Sequence, residues 1–292
     1  YKYIYTKFIY RSKTMSENNP LKSYFRKPGI WIKLPSQGQF YDTKPSDFND
    51  MGEIAVYPMT AKDELLMKNA DALLNGTAIT QLLNSCVPSI TSVDTMPAID
   101  LDAVLLAIRR CTYGEDLDIE TQCPSCNTKN ESVLNLNHFI ASIATIDKFD
   151  PITLDDGIKV FIKPVNVKQL LNLNWVQYEQ VRNIQQAEQG NMDEKEKVNL
   201  LQKSYNTLTN QNLLIIGACI DTVLLPDGVT VTDSTNIKEW VEQISQPEFK
   251  KIENGIMSLA QKGMKKTFNV ICQNCSTDYE SSIDLNPTTF FA

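Results

Sequence analysis

The stretch "CPSCNTKNESVLNLN" occupies residues 123–137, and "CQNCSTDYESSIDLN" echoes it at residues 272–286. A shift of 149 positions superposes Cys123 on Cys272, Cys126 on Cys275, Thr128 on Thr277, Glu131 on Glu280 and Ser132 on Ser281. Leu136 and Asn137 likewise fall on Leu285 and Asn286. So many identities at one offset mark two copies of one local structure. "DLDIETQ" alternates into the first copy and "ESVLNLN" out of it, while "KTFNVI" and "YESSIDLN" frame the second. Period-two alternation on both sides of a Cys-x-x-Cys predicts a strand, a tight turn and a strand in each copy.

The chemistry follows from the spacing. A Cys-x-x-Cys turn aims two sulfurs to the same side, and two such turns complete a tetrahedron around one metal ion. Cys123, Cys126, Cys272 and Cys275 are therefore the predicted metal ligands, with one structural zinc per chain as the predicted cofactor. Four thiolates leave no open coordination position, so the expected role is structural rather than hydrolytic. From Cys126 to Cys272 is 146 positions. Closing so long a loop costs on the order of 4 kcal/mol plus a constant, against about 10–16 kcal/mol from a structural zinc site. A shared site is affordable on that comparison, and it predicts a zinc ribbon split by a long insertion. A redox dithiol, an iron-sulfur cluster and a nucleic-acid-reading ribbon are the competing readings. The flanks hold mainly Asp, Glu, Asn and Ser, with only Lys129, Lys265 and Lys266 close by, which weighs against nucleic acid. The single histidine, His138, is expected at the surface or in a capping role.

Composition sets the outer bounds. The 292 residues are 42% hydrophobic and 22% charged, with a formal charge of -7, typical of globular protein. No apolar run is long enough to span a membrane, and a soluble intracellular protein is expected. Residues 1–14 carry four basic residues and no acid and end just before Met15, so they are expected to be a non-native or disordered extension. Without them the charge is -11, a poor match to a phosphate-backbone binder. The other three cysteines, Cys86, Cys111 and Cys219, lie in apolar helical contexts and are expected to be buried, and an odd total of seven fits a reducing compartment.

The periodicity predicts an α+β fold. Short strands are expected in "IWIKLP" and "GEIAVYPM", then helices after Thr60, at 77–86 and at 102–112. Beyond the first knuckle come a strand in "GIKVFIKPV", a long helix capped by Asn166 and stopped near Gly190, and a second long helix growing more apolar toward 219. A Pro-Asp-Gly hairpin and two further helices follow, the last opened by Pro247 and ended by Gly263. The expected organisation is an α+β region at 15–137 ending in the first knuckle, a mainly helical insertion at 138–266, and the second knuckle with a tail at 267–292. In the helix from Asn166 the apolar residues spread beyond one narrow stripe, and most of them are expected in the core, with a part as the alternative of a partner surface. The terminal "TTFFA" is expected to be exposed.

No phosphate loop, HExxH, G-x-S-x-G or carboxylate cluster appears, and no enzyme is expected. The blocks "WIKLPSQGQFY", "GEIAVYPMTAKDELLMKNADALLNGTAITQLLNSCVPSI" and "LDAVLLAIRRCTYGEDLDIETQCPSC" resemble the baseplate proteins of T-even-type contractile-tailed bacteriophages, a group linked to the baseplate hub and its assembly. The resemblance implies a non-enzymatic tail protein, built into the virion baseplate or required to assemble it in the host cytoplasm. Its implied partners are other baseplate and tail proteins, with no small-molecule substrate. A phage-encoded nucleic-acid-binding regulator using the ribbon is the alternative, and an assembly chaperone absent from the finished particle is a third.

Overall fold

The computed structural model describes residues 19–146, 150–189, 193–285 and 290–291. The expected extension at 1–14 and the expected helix stop at Gly190 lie outside the described residues. The fold mixes helices with small antiparallel sheets, as the α+β reading expects. Strands β1 (Ile30–Lys33) and β2 (Glu53–Val56) pair with Trp31 opposite Ala55. Thr60 then opens α1 (Ala61–Met67) through a capping box with Asp63. Two short helices follow, α2 (Ala70–Leu74), which the sequence reading does not anticipate, and α3 (Thr77–Cys86).

The central element is α4 (Ala98–Tyr113). It starts four residues before the expected position 102, because Pro97 supplies an N-terminal stop and Asp100 turns inward. The Asp100 carboxylate accepts from Ser36 N (2.8 Å), Ser36 Oγ (2.5 Å) and Tyr41 OH (2.8 Å), tying the loop after β1 to the first turn of the helix. Burial raises the Asp100 carboxyl to about 6, against the lowering influence of those hydrogen bonds.

The first cysteine hairpin comes next, β3 (Asp116–Gln122) and β4 (Lys129–Asn135), in register from Asp116 opposite Asn135 to Gln122 opposite Lys129. Helix α5 (Leu136–Ala141) takes over where the alternation predicts continued strand, because the Asn135 side chain caps Asn137 N at 3.0 Å. His138 sits exposed on α5. Strands β5 (Ile152–Thr153) and β6 (Lys159–Ile162) lead to the long helices α6 (Val167–Gln189) and α7 (Glu194–Cys219). Asn166 Oδ1 accepts from Gln169 N and Gln169 Oε1 from Asn166 N, the expected cap in reciprocal form. After α7, β7 (Ile220–Leu224) and β8 (Thr230–Val231) form the Pro-Asp-Gly hairpin and complete a four-stranded sheet in the order β5-β6-β7-β8. Helices α8 (Ser234–Val241) and α9 (Gln246–Ala260) precede the second cysteine hairpin, β9 (Thr267–Ile271) and β10 (Asp278–Ser282).

Two hydrophobic cores organise these elements. The first gathers β1, β2, α3 and most of α4, with Phe139, Met264, Ile283 and Leu285 joining from distant sequence. The second lies under the four-stranded sheet, where Val160, Ile220, Ile237 and Ile252 pack, and it includes Ile99 from the start of α4. Helix α4 thus contributes to both. Gly76, at φ +78°, opens α3 where a Cβ would meet Leu171 Cδ1 at 2.8 Å, so the base of α6 seats on backbone that tolerates no side chain.

Two expectations need correction. Phe290 and Phe291 are 4% and 5% exposed, not a free apolar end. Their rings meet edge to face at 5.3 Å between centroids, and the Arg109 guanidinium lies 5.4 Å above Phe290, so burial and ring contacts draw them into the first core. Thr288, Thr289 and Ala292 of the same stretch lie outside the described residues. Within α6, most apolar side chains are not core: Val167, Gln180 and Ala187 are its buried residues, whereas Tyr178 and Val181 are 45% and 50% exposed. Among the described residues α7 is the helix that packs along the outer part of α6, and Tyr178 and Val181 there keep a face to solvent.

Candidate metal centre

Each cysteine pair lies in a turn whose backbone is reproduced in the other. Cys123 N donates to Thr128 O and Cys272 N to Thr277 O, both at 2.9 Å. Asn127 N donates to Cys123 O and Ser276 N to Cys272 O, again at 2.9 Å. Asn127 and Ser276 close the turns at φ 57° and 56°, the left-handed conformation that points each sulfur pair inward. Matched residues therefore give matched geometry.

The two turns face one another. Cys123 Sγ lies 3.6 Å from Cys275 Sγ, and Cys126 Sγ lies 3.6 Å from Cys272 Sγ, so the first cysteine of each pair meets the second of the other. All four sulfurs fall within 4.8 Å of one another. Sulfurs bound at about 2.3 Å around one tetrahedral ion stand about 3.8 Å apart. A disulfide would need about 2.05 Å, and a polynuclear iron-sulfur cluster would put several atoms between the sulfurs and spread them beyond contact. The donor set and its spacing fit a single ion.

The hydroxyls beside the sulfurs favour thiolates. Thr128 Oγ1 lies 3.3 Å from Cys126 Sγ, and Thr277 Oγ1 lies 3.2 Å from Cys275 Sγ, where each hydroxyl can donate to a charged sulfur. The Thr128 hydroxyl, followed by its backbone N–H, lowers the Cys126 thiol, and the Cys275 N–H lowers Cys272. Cys123, shut from solvent, is pushed up by burial. The remaining thiols behave as apolar side chains: burial raises Cys86 and Cys219 to about 12 and Cys111 to about 11.

Asn130, which sequence reasoning passed over, is the buried polar link between the hairpins at 1% exposure. Its Nδ2 donates to Thr128 O (3.1 Å) and Tyr279 OH (3.2 Å), and its Oδ1 accepts from Gln273 N (2.9 Å). Thr121 Oγ1 joins Tyr279 OH at 2.8 Å from the other side. An asparagine inside a period-two strand is a usable signal, since its inward register puts a polar group where only a partnered one survives.

Charge around the hairpins is acidic. Asp116, Asp118, Glu120 and Glu131 share the outer face of β3 and β4. Of the three nearby lysines, Lys129 pairs with Glu120 at 2.7 Å and Lys266 with Asp102. Among the described residues no other group of three or more His, Cys, Asp or Glu converges as a metal site, and His138 stands apart from the sulfurs. No described helix is long and apolar enough to cross a membrane.

Comparison with curated proteins and with solved structures returned no match. A family model described as T4 bacteriophage base plate protein matches residues 28–292, a span that takes in both cysteine hairpins, both cores and the long helices. By that match the chain belongs to the T4 bacteriophage base plate protein family.

Proposed function

We propose that this chain is a non-enzymatic component of the baseplate hub, or a factor that assembles the hub, whose split ribbon is stapled by one structural zinc. The carrying observation is the convergence of Cys123, Cys126, Cys272 and Cys275, with Cys126 and Cys272 146 positions apart, in a chain whose family is a baseplate family. Family membership implies other tail proteins as partners and the tail baseplate as location. The hub assignment extends this through the resemblance stated above, and assembly in the host cytoplasm goes with it.

Zinc supplies a divalent charge that four thiolates can neutralise without an open position. The protein's own residues do the rest: the left-handed turns aim the sulfurs, Thr128 and Thr277 place hydroxyls against them, and Asn130 locks one hairpin to the other. The ends of the insertion at 138–266 are thereby held together. Acidic outer strands and paired lysines support protein neighbours over a nucleic-acid backbone.

Metal analysis of the purified full chain tests the staple. One zinc per chain is expected, whereas no metal, or iron in its place, would overturn it. Mass spectrometry of purified virions separates the two roles: a stoichiometric signal marks a structural component, and its absence marks an assembly factor.

A further inference from the structure

The four sulfurs of the cluster differ in their access to solvent. Cys123 and Cys272 are buried, Cys126 is half-buried and Cys275 is exposed. Their contacts are also crossed: the exposed Cys275 meets the buried Cys123 of the opposite hairpin, and Cys126 meets Cys272, each pair at 3.6 Å. Contacts that involve no sulfur hold the same alignment. Asn130 Oδ1 accepts from Gln273 N (2.9 Å), Asn130 Nδ2 donates to Tyr279 OH (3.2 Å), and Asn274 Nδ2 donates to Thr128 Oγ1 (3.2 Å), so each bridges the two hairpins beside the cysteines. A disulfide needs its sulfurs about 2.05 Å apart. Each crossed pair therefore has to close by roughly 1.5 Å, a movement on the scale of a side chain.

We propose that the cluster is a redox-convertible staple, in which an oxidant of the peroxide class exchanges the zinc for disulfides that run between the hairpins, Cys123–Cys275 first and Cys126–Cys272 second. This rests on the zinc reading above, since coordination is what keeps all four sulfurs deprotonated. Exposure sets the order, because oxidation follows thiolate character and access. The Cys275 thiolate attacks a peroxide oxygen, the O–O bond breaks and hydroxide leaves, so Cys275 becomes a sulfenic acid. The Cys123 thiolate, in contact with it across the interface, then attacks the Cys275 sulfur. An S–S bond forms and the sulfenic oxygen departs as a second hydroxide. Two electrons have passed from the sulfur pair to the peroxide. Cys126 and Cys272 alone are half a donor set, too few to retain the ion, and a second equivalent of peroxide joins them by the same two steps. Both links span the insertion, since Cys123 and Cys275 are 152 positions apart and Cys126 and Cys272 are 146 apart. The ends of the helical middle thus stay joined when the ion is gone, which disulfides inside each Cys-x-x-Cys turn would not achieve.

Titration of the purified full chain with hydrogen peroxide, after removal of reductant, tests this. The expected result is release of the bound zinc, read with a chromogenic chelator, as the Cys123–Cys275 link forms, with the Cys126–Cys272 link following. Peptide mapping under non-reducing conditions identifies each link. The oxidised, metal-free chain keeps an unfolding midpoint well above that of the reduced chain stripped of metal, and dithiothreitol with zinc restores the starting form. Any other pairing of the four cysteines, above all Cys123–Cys126 and Cys272–Cys275 within the turns, overturns the inference. So does a chain that keeps its zinc and its free thiols through a several-fold excess of peroxide. Zinc content before oxidation reads the staple, and the disulfide map after it reads the exchange. A chain purified without zinc sinks both ideas, whereas a zinc-bound chain that links within its turns sinks only the exchange.

Discussion

The two cysteine hairpins are alike at the metal end and differ on the face by which they meet. Their turns share hydrogen bonds, left-handed residues and threonines, yet the position of Asn130 on the first is held by Tyr279 on the second, and that of Thr121 by Val270. The first hairpin has seven-residue strands that run directly from α4 and into α5, and the second has five-residue strands. What the repeat retains is the geometry of sulfur. What it has diversified is the surface by which one hairpin recognises the other, where an Asn, a Thr and a Tyr form contacts that two identical halves would not make.

The strongest test asks whether the metal end is symmetric in energy as well as in shape. Cys123→Ser and Cys272→Ser are each expected to release the ion and to cost more than about 5 kcal/mol, a fraction of the 10–16 kcal/mol of a structural zinc site. Metal content and denaturant unfolding read both effects. Loss of the ion in one variant with full occupancy in the other would show that the two pairs do not share it.

The asymmetric end should respond differently. Asn130→Ala removes a buried group with four partners, Thr128 O, Tyr279 OH, Gln273 N and Cys272 Sγ, and leaves the Gln273 N–H without its acceptor, for an expected loss of about 2–3 kcal/mol, while Tyr279→Phe costs about 1 kcal/mol. Both variants keep one ion per chain. If Asn130→Ala also empties the site, the division between a metal end and a recognition end collapses.

The smallest effect distinguishes the turns themselves. Ser276 and Asn127 hold nearly the same positive φ, but asparagine tolerates that conformation and serine does so less readily. Ser276→Gly should therefore gain about 0.5 kcal/mol by relieving the left-handed strain, and Asn127→Gly should change stability by less. Thermal unfolding of the metal-bound forms measures the difference, and equal shifts would make the two turns interchangeable after all.

The sequence disclosed what local chemistry determines. The Cys-x-x-Cys spacing, the Thr60 and Asn166 caps and the Pro-Asp-Gly turn each declare themselves within a few residues, and all stand in the structure where the pattern puts them. Burial was harder, because it depends on what arrives from elsewhere. Phe290 and Phe291 read as a loose end until Arg109 and the first core are found beside them, and α6 reads as core until Tyr178 and Val181 are found with a face to solvent. Asn130 was hidden for the same reason: its partners Gln273 and Tyr279 lie 143 and 149 positions away. Helix α5 was masked by a smaller conflict, in which alternation favoured strand and the Asn135 cap decided for helix.

The long separation of the sulfur pairs also sets an order in time. Synthesis runs at about 5–20 residues per second, so the separation of 146 positions from Cys126 to Cys272 takes roughly 7–30 s to emerge. Throughout that interval Cys123 and Cys126 form an incomplete donor set, able to grip an ion with two sulfurs only. The cluster closes when Cys275 appears. A chain broken off early never completes it. The four-sulfur cluster therefore reports that synthesis has passed both hairpins and the helices between them.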